Sequence, residues 1–297
     1  MIEVNPEDRT LRPEELRVGA SGADALVCTL ADRIDRALLE ALVPRLRVVA
    51  TFAVGYENID LDAARSLGVR VTHTPGVLTD ATAEVAVALL LACARRIVEG
   101  DRRTRAGEFR GWKPLGALGH GVYGATVGVV GAGRIGRRVA ETLRRGFGCE
   151  ILVHSRSRRP DWEAELGARF VDLDALLEAS DFVTLHCPLV EGTRHLIDAG
   201  ALARMKRSAS LINTARGAVV DEAALVRALR EGEIAAAGLD VYEREPELAE
   251  GLAALPNAVL LPHIGSATHA ARDAMGRLCA EAVIAVLGGA EPAHPLA

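Results

Sequence analysis

Thr126-Val127-Gly128-Val129-Val130-Gly131-Ala132-Gly133-Arg134-Ile135-Gly136 is an apolar, valine-rich run that stops at a glycine-rich turn and continues into a helix-forming stretch. The β-branched residues of 126–130 favour a strand, because they fit a pleated, buried surface. Residues 134–145 have the Arg/Ala/Leu content of a helix, with Gly146 as its expected end. The turn between them is G-x-G-x-x-G, and each glycine has a separate task there. Gly131 permits the tight turn, Gly133 lets a pyrophosphate come close to the backbone, and Gly136 allows the helix to pack against the strand. The first helical turn, Arg134 and Ile135 included, offers unpaired N–H groups and the positive end of the helix dipole to phosphate. The stretch reads as the phosphate loop of a dinucleotide site.

Outward from that loop, short apolar runs alternate with helical stretches. Strands are expected at 150–154, 169–171, 181–185, 210–213, 235–239 and 258–261. Asp221 is placed to cap a helix running to about Arg230. Upstream, 24–29, 46–50 and 69–72 read as strands and 36–42 as a helix. A long helix over 81–100 is apolar on nearly every face until its arginines begin, so it is buried between layers or domains. A last helix over 268–287 can return to the first domain. The pattern is α/β with a parallel sheet. Placing the boundary at the end of the long helix gives one domain of 1–99 with 269–297 and another of 100–268.

Composition narrows the function classes. The chain has 297 residues, enough for about two domains. Asp and Glu total 40 against 35 Lys and Arg, so no cationic field draws nucleic acid or anionic lipid. Aromatics are 3%, too few for a base-stacking platform. Cys28, Cys93, Cys149, Cys187 and Cys279 are scattered with no C-x-x-C pair, so neither a disulfide framework nor a metal site is expected. They read as reduced thiols of a cytoplasmic enzyme. The first residues lack the basic and apolar regions of a signal peptide, and 85–94 is too short to span a bilayer.

The end of the second strand bears on the cofactor. A site for NAD usually places Asp or Glu there to hold the ribose 2′-hydroxyl. Here the residues are His154-Ser155-Arg156-Ser157-Arg158-Arg159. A guanidinium can form paired bonds to a 2′-phosphate, and Ser155 and Ser157 add donors. NADP(H) is therefore the preferred cofactor, with NAD(H) the alternative, and a solvated basic loop is the other reading of the same residues.

Three segments follow three successive strands and so reach the carboxyl-end crevice of the sheet: Asn213-Thr214-Ala215-Arg216-Gly217, Asp240-Val241-Tyr242-Glu243-Arg244-Glu245-Pro246 and Pro262-His263-Ile264-Gly265. Arg216 could grip a carboxylate and polarise a keto oxygen. His263 could donate a proton, and Glu245 would favour its imidazolium form. On residue types alone, a surface ion pair, a turn before Pro246 and a buried strand-end histidine are the commoner readings of the same three.

These segments resemble the D-isomer-specific 2-hydroxyacid dehydrogenase family, and most closely its glyoxylate/hydroxypyruvate reductase branch. The likeness also runs through Ala53-Val54-Gly55-Tyr56-Glu57-Asn58-Ile59-Asp60 and Thr74-Pro75-Gly76-Val77-Leu78-Thr79-Asp80-Ala81-Thr82. It implies a Rossmann-type, doubly wound cofactor domain inserted in a smaller flavodoxin-like substrate domain, joined as a homodimer through the cofactor domains. It implies Arg216, Glu245 and His263 as the catalytic trio, with Val54 and Gly55 donating backbone N–H groups to the substrate carboxylate. Asp240, Thr214, Ala215 and Gly265 would border the nicotinamide, Cys187 and Pro188 the adenosine half, and Thr82 the phosphates or ribose. Trp112 matches a family position and is expected to pack. The other histidines, among them His73, His186 and His195, are expected to be structural or on the surface.

The resemblance also implies a further strand and helix ahead of Met1, with Ile2-Glu3-Val4 as the second strand. A domain without that first strand would carry an unpaired sheet edge. The activity it implies is reduction of glyoxylate or hydroxypyruvate to the 2-hydroxy acid. D-3-phosphoglycerate or D-lactate dehydrogenase is the alternative within the family. A nucleotide-sensing, corepressor-like binding module is the alternative outside enzymes.

Overall fold

The computed structural model describes residues 1–7 and 9–297, and the chain forms two units. The smaller comprises Met1–Leu78 and Thr268–Ala297, the larger Thr79–Ala267.

In the smaller unit, β1 (Ala25–Cys28), β2 (Val48–Thr51) and β3 (Arg70–Thr72) form a parallel sheet in that order. Around it lie α1 (Pro13–Gly19), α2 (Arg36–Leu42) and α3 (Leu61–Leu67), and the chain's last helix, His269–Leu287, also packs on the sheet. Asp35, Asp60 and Thr268 each cap the helix that follows by accepting a backbone N–H three residues on. The second strand expected at Ile2-Glu3-Val4 does not form. Ile2 and Val4 are exposed and have no apolar surface to cover, and three residues offer too few ladder bonds to hold a strand without it.

The larger unit begins with α4 (Thr79–Ala94) and α5 (Ile97–Arg105). Its seven strands are β4 (Thr126–Val130), β5 (Glu150–His154), β6 (Arg169–Phe170), β7 (Phe182–Leu185), β8 (Ser210–Asn213), β9 (Ala236–Leu239) and β10 (Ala258–Leu260). They are all parallel, in the order β10-β9-β8-β7-β4-β5-β6. Helices α6 (Arg134–Phe147), α7 (Pro160–Leu166), α8 (Leu173–Ala179), α9 (Ala199–Arg204) and α10 (Glu222–Glu231) connect them, and α11 is the last helix already placed in the smaller unit. The chain winds one way from β4 to β6 and the other way from β7 to β10. The crevice of such a sheet lies where that direction reverses, at the carboxyl ends of β4 and β7.

Two helix ends differ from the sequence expectation. The helix expected over 81–100 is two helices, because Arg96 adopts φ 53° and interrupts the hydrogen-bonded spiral. Its guanidinium folds back onto the Glu99 carboxylate at 2.7 and 2.8 Å. Only α4 is a core helix: Ala83, Ala86, Leu89, Leu90 and Cys93 are buried against the sheet, whereas α5 buries no residue. Each buried leucine contributes about 2 kcal/mol by leaving water. Because α4 packs on β8, β9 and α6, the division between units falls at its start, after Leu78, and not at its end near residue 100. Helix α6 runs through Gly146 and stops at Gly148, which takes the left-handed conformation at φ 63°. Trp112 does not pack within its own chain; it is 83% exposed.

Candidate active site

The phosphate loop follows β4 as the glycines require. Gly131 has φ +106°, a region L side chains rarely enter, and a Cβ there would stand 2.6 Å from the Cys187 nitrogen. A Cβ at Gly136 would lie 2.3 Å from the Gly131 carbonyl oxygen, so only glycine lets α6 start this close to the strand. At Gly133 the same test meets nothing within 4 Å. Gly133 is also the N-cap of α6 and supplies no side-chain acceptor, so the helix's leading N–H groups remain available to a phosphate. Arg134 is exposed and Ile135 half-buried at this helix start. The open face at Gly133, bounded by a close-packed floor, fits a pyrophosphate.

Below this loop runs Leu185-His186-Cys187-Pro188, with Cys187 buried and Pro188 exposed. His186 Nε2 lies 2.9 Å from Thr184 Oγ1, while Nδ1 is enclosed without a hydrogen-bond partner among the described residues. Burial drives this imidazole down to about 3, so it is a neutral ring beneath the loop. At the end of β5, Ser155 is half-buried, and Arg156 and Ser157 are exposed. Arg158 pairs with Glu163 and Arg159 with Asp161, whereas Arg156 pairs with no carboxylate among the described residues.

The turn after β8 is shaped by Asn213, a residue the sequence reading passed over. Its Nδ2 donates to the Arg216 carbonyl at 2.9 Å, and its Oδ1 accepts the Ala215 N–H at 3.0 Å. This Asx-type closure shows only in the folded backbone, since the residue type alone does not reveal it. Arg216 therefore leaves an extended backbone, and its Nη1 donates to the Ala215 carbonyl at 2.6 Å. Thr214 is buried, with an Oγ1 that has no partner among the described residues.

After β9, Asp240 is 1% exposed and holds the third segment. One carboxylate oxygen accepts the Ile264 N–H at 2.8 Å and the other the Gly265 N–H at 2.7 Å. These bonds fasten the turn that puts His263 at φ 53°. Burial raises the Asp240 carboxyl in spite of both bonds. Gly265 is close-packed too, since a Cβ there would meet Asp240 Oδ2 at 3.0 Å and Thr82 Cγ2 at 3.3 Å. Thr82, Asp240 and Gly265 thus share one corner of the larger unit.

Glu245 and His263 meet in the same unit. Glu245 Oε2 is 2.8 Å from His263 Nδ1, and Glu245 Oε1 accepts the Tyr242 N–H at 2.9 Å. Burial alone would raise the Glu245 carboxyl, but the bond and charge of His263 and the charge of Arg216 outweigh it, leaving Glu245 below its usual range. Tyr242 reaches across to donate its hydroxyl to the Leu261 carbonyl at 2.7 Å. The three segments after β8, β9 and β10 are thus brought together as a guanidinium, a carboxylate and an imidazole whose free Nε2 can face a ligand.

Val54 and Gly55 lie in the smaller unit, on the loop after β2. The Val54 carbonyl is 2.9 Å from His73 Nδ1. His195, likewise expected to be structural, places Nε2 2.8 Å from Glu243 Oε1.

The family model for the D-isomer specific 2-hydroxyacid dehydrogenase, NAD binding domain, matches residues 87–265. The chain is 53% identical over 273 residues to the glyoxylate reductase of Thermococcus litoralis, covering 91% of this chain and 82% of that protein. A solved structure of a protein from Thermus thermophilus superposes with a TM-score of 0.91 at 46% identity, covering 97% of this chain and 90% of that one. The NADPH-dependent glyoxylate/hydroxypyruvate reductase of Sinorhizobium meliloti, in complex with NADP and malonate, has a TM-score of 0.83 at 37% identity, covering 92% and 84%. With its phosphate loop, its doubly wound sheet and this degree of likeness, the chain belongs to the D-isomer specific 2-hydroxyacid dehydrogenase family and carries that family's nicotinamide-cofactor domain.

Proposed function

We propose that this protein reduces glyoxylate, and with it hydroxypyruvate, to the corresponding 2-hydroxy acid with NADPH as reductant. The observation that carries the reading is the 2.8 Å contact of Glu245 with His263, in a site whose carboxylate also feels the charge of Arg216. When bound, the cofactor supplies a hydride to the keto carbon. His263, with Nδ1 held by Glu245, gives its Nε2 proton to the carbonyl oxygen, so one hydride and one proton convert C=O to CH–OH. Arg216 stabilises the negative charge that develops on that oxygen and grips the substrate carboxylate in a planar clamp. Val54 and Gly55, on the loop after β2 of the smaller unit, offer backbone N–H groups suited to a carboxylate. Thr214, Ala215, Asp240 and Gly265 border the nicotinamide. The phosphate loop, Thr82, Cys187 and Pro188 serve the remainder of the cofactor.

Preference for NADPH is supported by Ser155-Arg156-Ser157. No carboxylate stands at the end of β5 to repel a 2′-phosphate, and Arg156 is not engaged elsewhere among the described residues. We assign a homodimer joined through the larger unit. The exposed apolar side chains Phe109, Trp112, Leu115, Leu118 and Tyr123, all between α5 and β4, support that contact. Five free, buried cysteines suit a reducing, cytoplasmic setting. No helix among the described residues is long and apolar enough to cross a membrane.

The test is steady-state oxidation of NADPH and NADH against a panel of 2-keto acids of increasing size. Highest kcat/KM with glyoxylate or hydroxypyruvate and NADPH is expected. A preference for pyruvate or larger acids would move the assignment to another branch of the family.

A further inference from the structure

Glu222 is a carboxyl group with no catalytic task in the scheme above, yet it is 4% exposed. It opens α10 directly after the capping Asp221, where the positive end of the helix favours an acid. Its Oε1 accepts the N–H of Glu243 at 2.7 Å. No cation pairs with it among the described residues. Burial raises its carboxyl above the usual range, and the nearby charges of Glu243 and Glu245 add to the rise. A buried acid in that position is costly unless its hydrogen bonds are needed.

The bond it accepts is placed one peptide away from the catalytic carboxylate's own support. The Glu243 N–H goes to Glu222, and the neighbouring Tyr242 N–H goes to Glu245 Oε1. The Glu243 side chain is meanwhile held at 2.8 Å by His195. We propose that Glu222 is a positioning residue that anchors the backbone at Glu243 and so keeps Glu245 aligned on His263 for proton transfer. This rests on the roles given above to Glu245 and His263.

The test measures kcat and the KM for NADPH, with glyoxylate, in Glu222→Ala, Glu222→Asp, Glu222→Gln, Glu245→Gln and the Glu222→Ala/Glu245→Gln double variant. Glu222→Ala should lower kcat about tenfold or more, as small misplacements of reacting groups do, with KM for NADPH within about twofold. Glu222→Gln keeps an acceptor oxygen in place and should restore kcat to within about twofold of the parent protein. Glu222→Asp withdraws the acceptor by one methylene while keeping the charge, so it should fall between the two even if the alanine variant folds poorly. In the Glu245→Gln background, Glu222→Ala should add less than about a twofold loss, because its effect runs through Glu245. The same loss in both backgrounds, or Glu222→Gln as impaired as Glu222→Ala, would overturn the positioning role alone. Full kcat in Glu245→Gln would overturn the catalytic reading, and the positioning role would fall with it.

Discussion

A Cβ at Gly217 would stand 1.8 Å from the carbonyl carbon of Tyr242 and 2.0 Å from its oxygen. The turn that carries Arg216 and the segment that leads to Glu245 therefore touch backbone to backbone, and only the absence of a side chain allows it. Neither partner is the far end of a flexible side chain, so one strand of chain must move if the space is filled. Gly217→Ala should lower stability by about 1–3 kcal/mol and reduce kcat. Gly133→Ala meets nothing within 4 Å and should leave the melting temperature unchanged while raising the KM for NADPH, since the methyl group occupies the phosphates' approach. Thermal melts and steady-state kinetics on both variants check the contrast; equal melting temperatures for the two would contradict it.

Arg156→Asp should turn cofactor preference toward NADH. It removes a guanidinium able to pair with the 2′-phosphate and supplies a carboxylate that can accept from the ribose hydroxyls. The ratio of kcat/KM for NADPH over NADH should fall by about tenfold or more, the factor that corresponds to one charge-assisted bond. A ratio that does not change would leave Ser155-Arg156-Ser157 as a solvent-facing loop.

Arg216→Lys keeps the positive charge and loses the planar pair of donors. The expected result is a fall in kcat/KM for glyoxylate by about a hundredfold, with NADPH affinity retained. Parent-like turnover in this variant would remove the clamp from the mechanism.

Asp181 ties the amino end of β4 to Lys206, accepting the Thr126 N–H at 2.9 Å and lying 2.8 Å from the Lys206 ammonium. Burial alone would raise this carboxyl, but those two bonds hold it below its usual range. A carboxyl lowered on folding stabilises the native state above its unfolded pKa of about 3.9, and that contribution is lost as pH falls through the still lower folded value. Asp181→Asn should therefore melt below the parent protein at pH 7, with the gap closing as pH drops under about 4. A gap of constant size from pH 7 to pH 3 would contradict this assignment.

The sheet was legible because its strands are short apolar runs bounded by glycine, proline or charge. The expected strands over 150–154 and 210–213 coincide with β5 and β8. The break between α4 and α5 was not legible, because Arg95-Arg96 is as compatible with a continuing helix as with an ending one. The left-handed turn at Arg96 follows from packing: α4 runs out of sheet to cover, and Arg96 is drawn onto Glu99. In the site, Arg216, Glu245 and His263 could be named because each is a chemically capable residue just beyond a strand. Glu222 and Asn213 could not be singled out by type. Their partners, Glu243 and the 215–216 turn, become visible only when the backbone donors have positions. Asp240 was found through the family resemblance, but its grip on two successive N–H groups is a property of the fold.

The measurement that bears most directly on the mechanism is single-turnover reduction of glyoxylate by NADPH-loaded enzyme, comparing the parent protein with His263→Ala. Cofactor binding is followed separately by fluorescence titration. Loss of the proton donor should slow NADPH oxidation by about a hundredfold or more while the Kd for NADPH stays within about twofold. Oxidation at the parent rate would show that the imidazole beside Glu245 takes no part in the reaction.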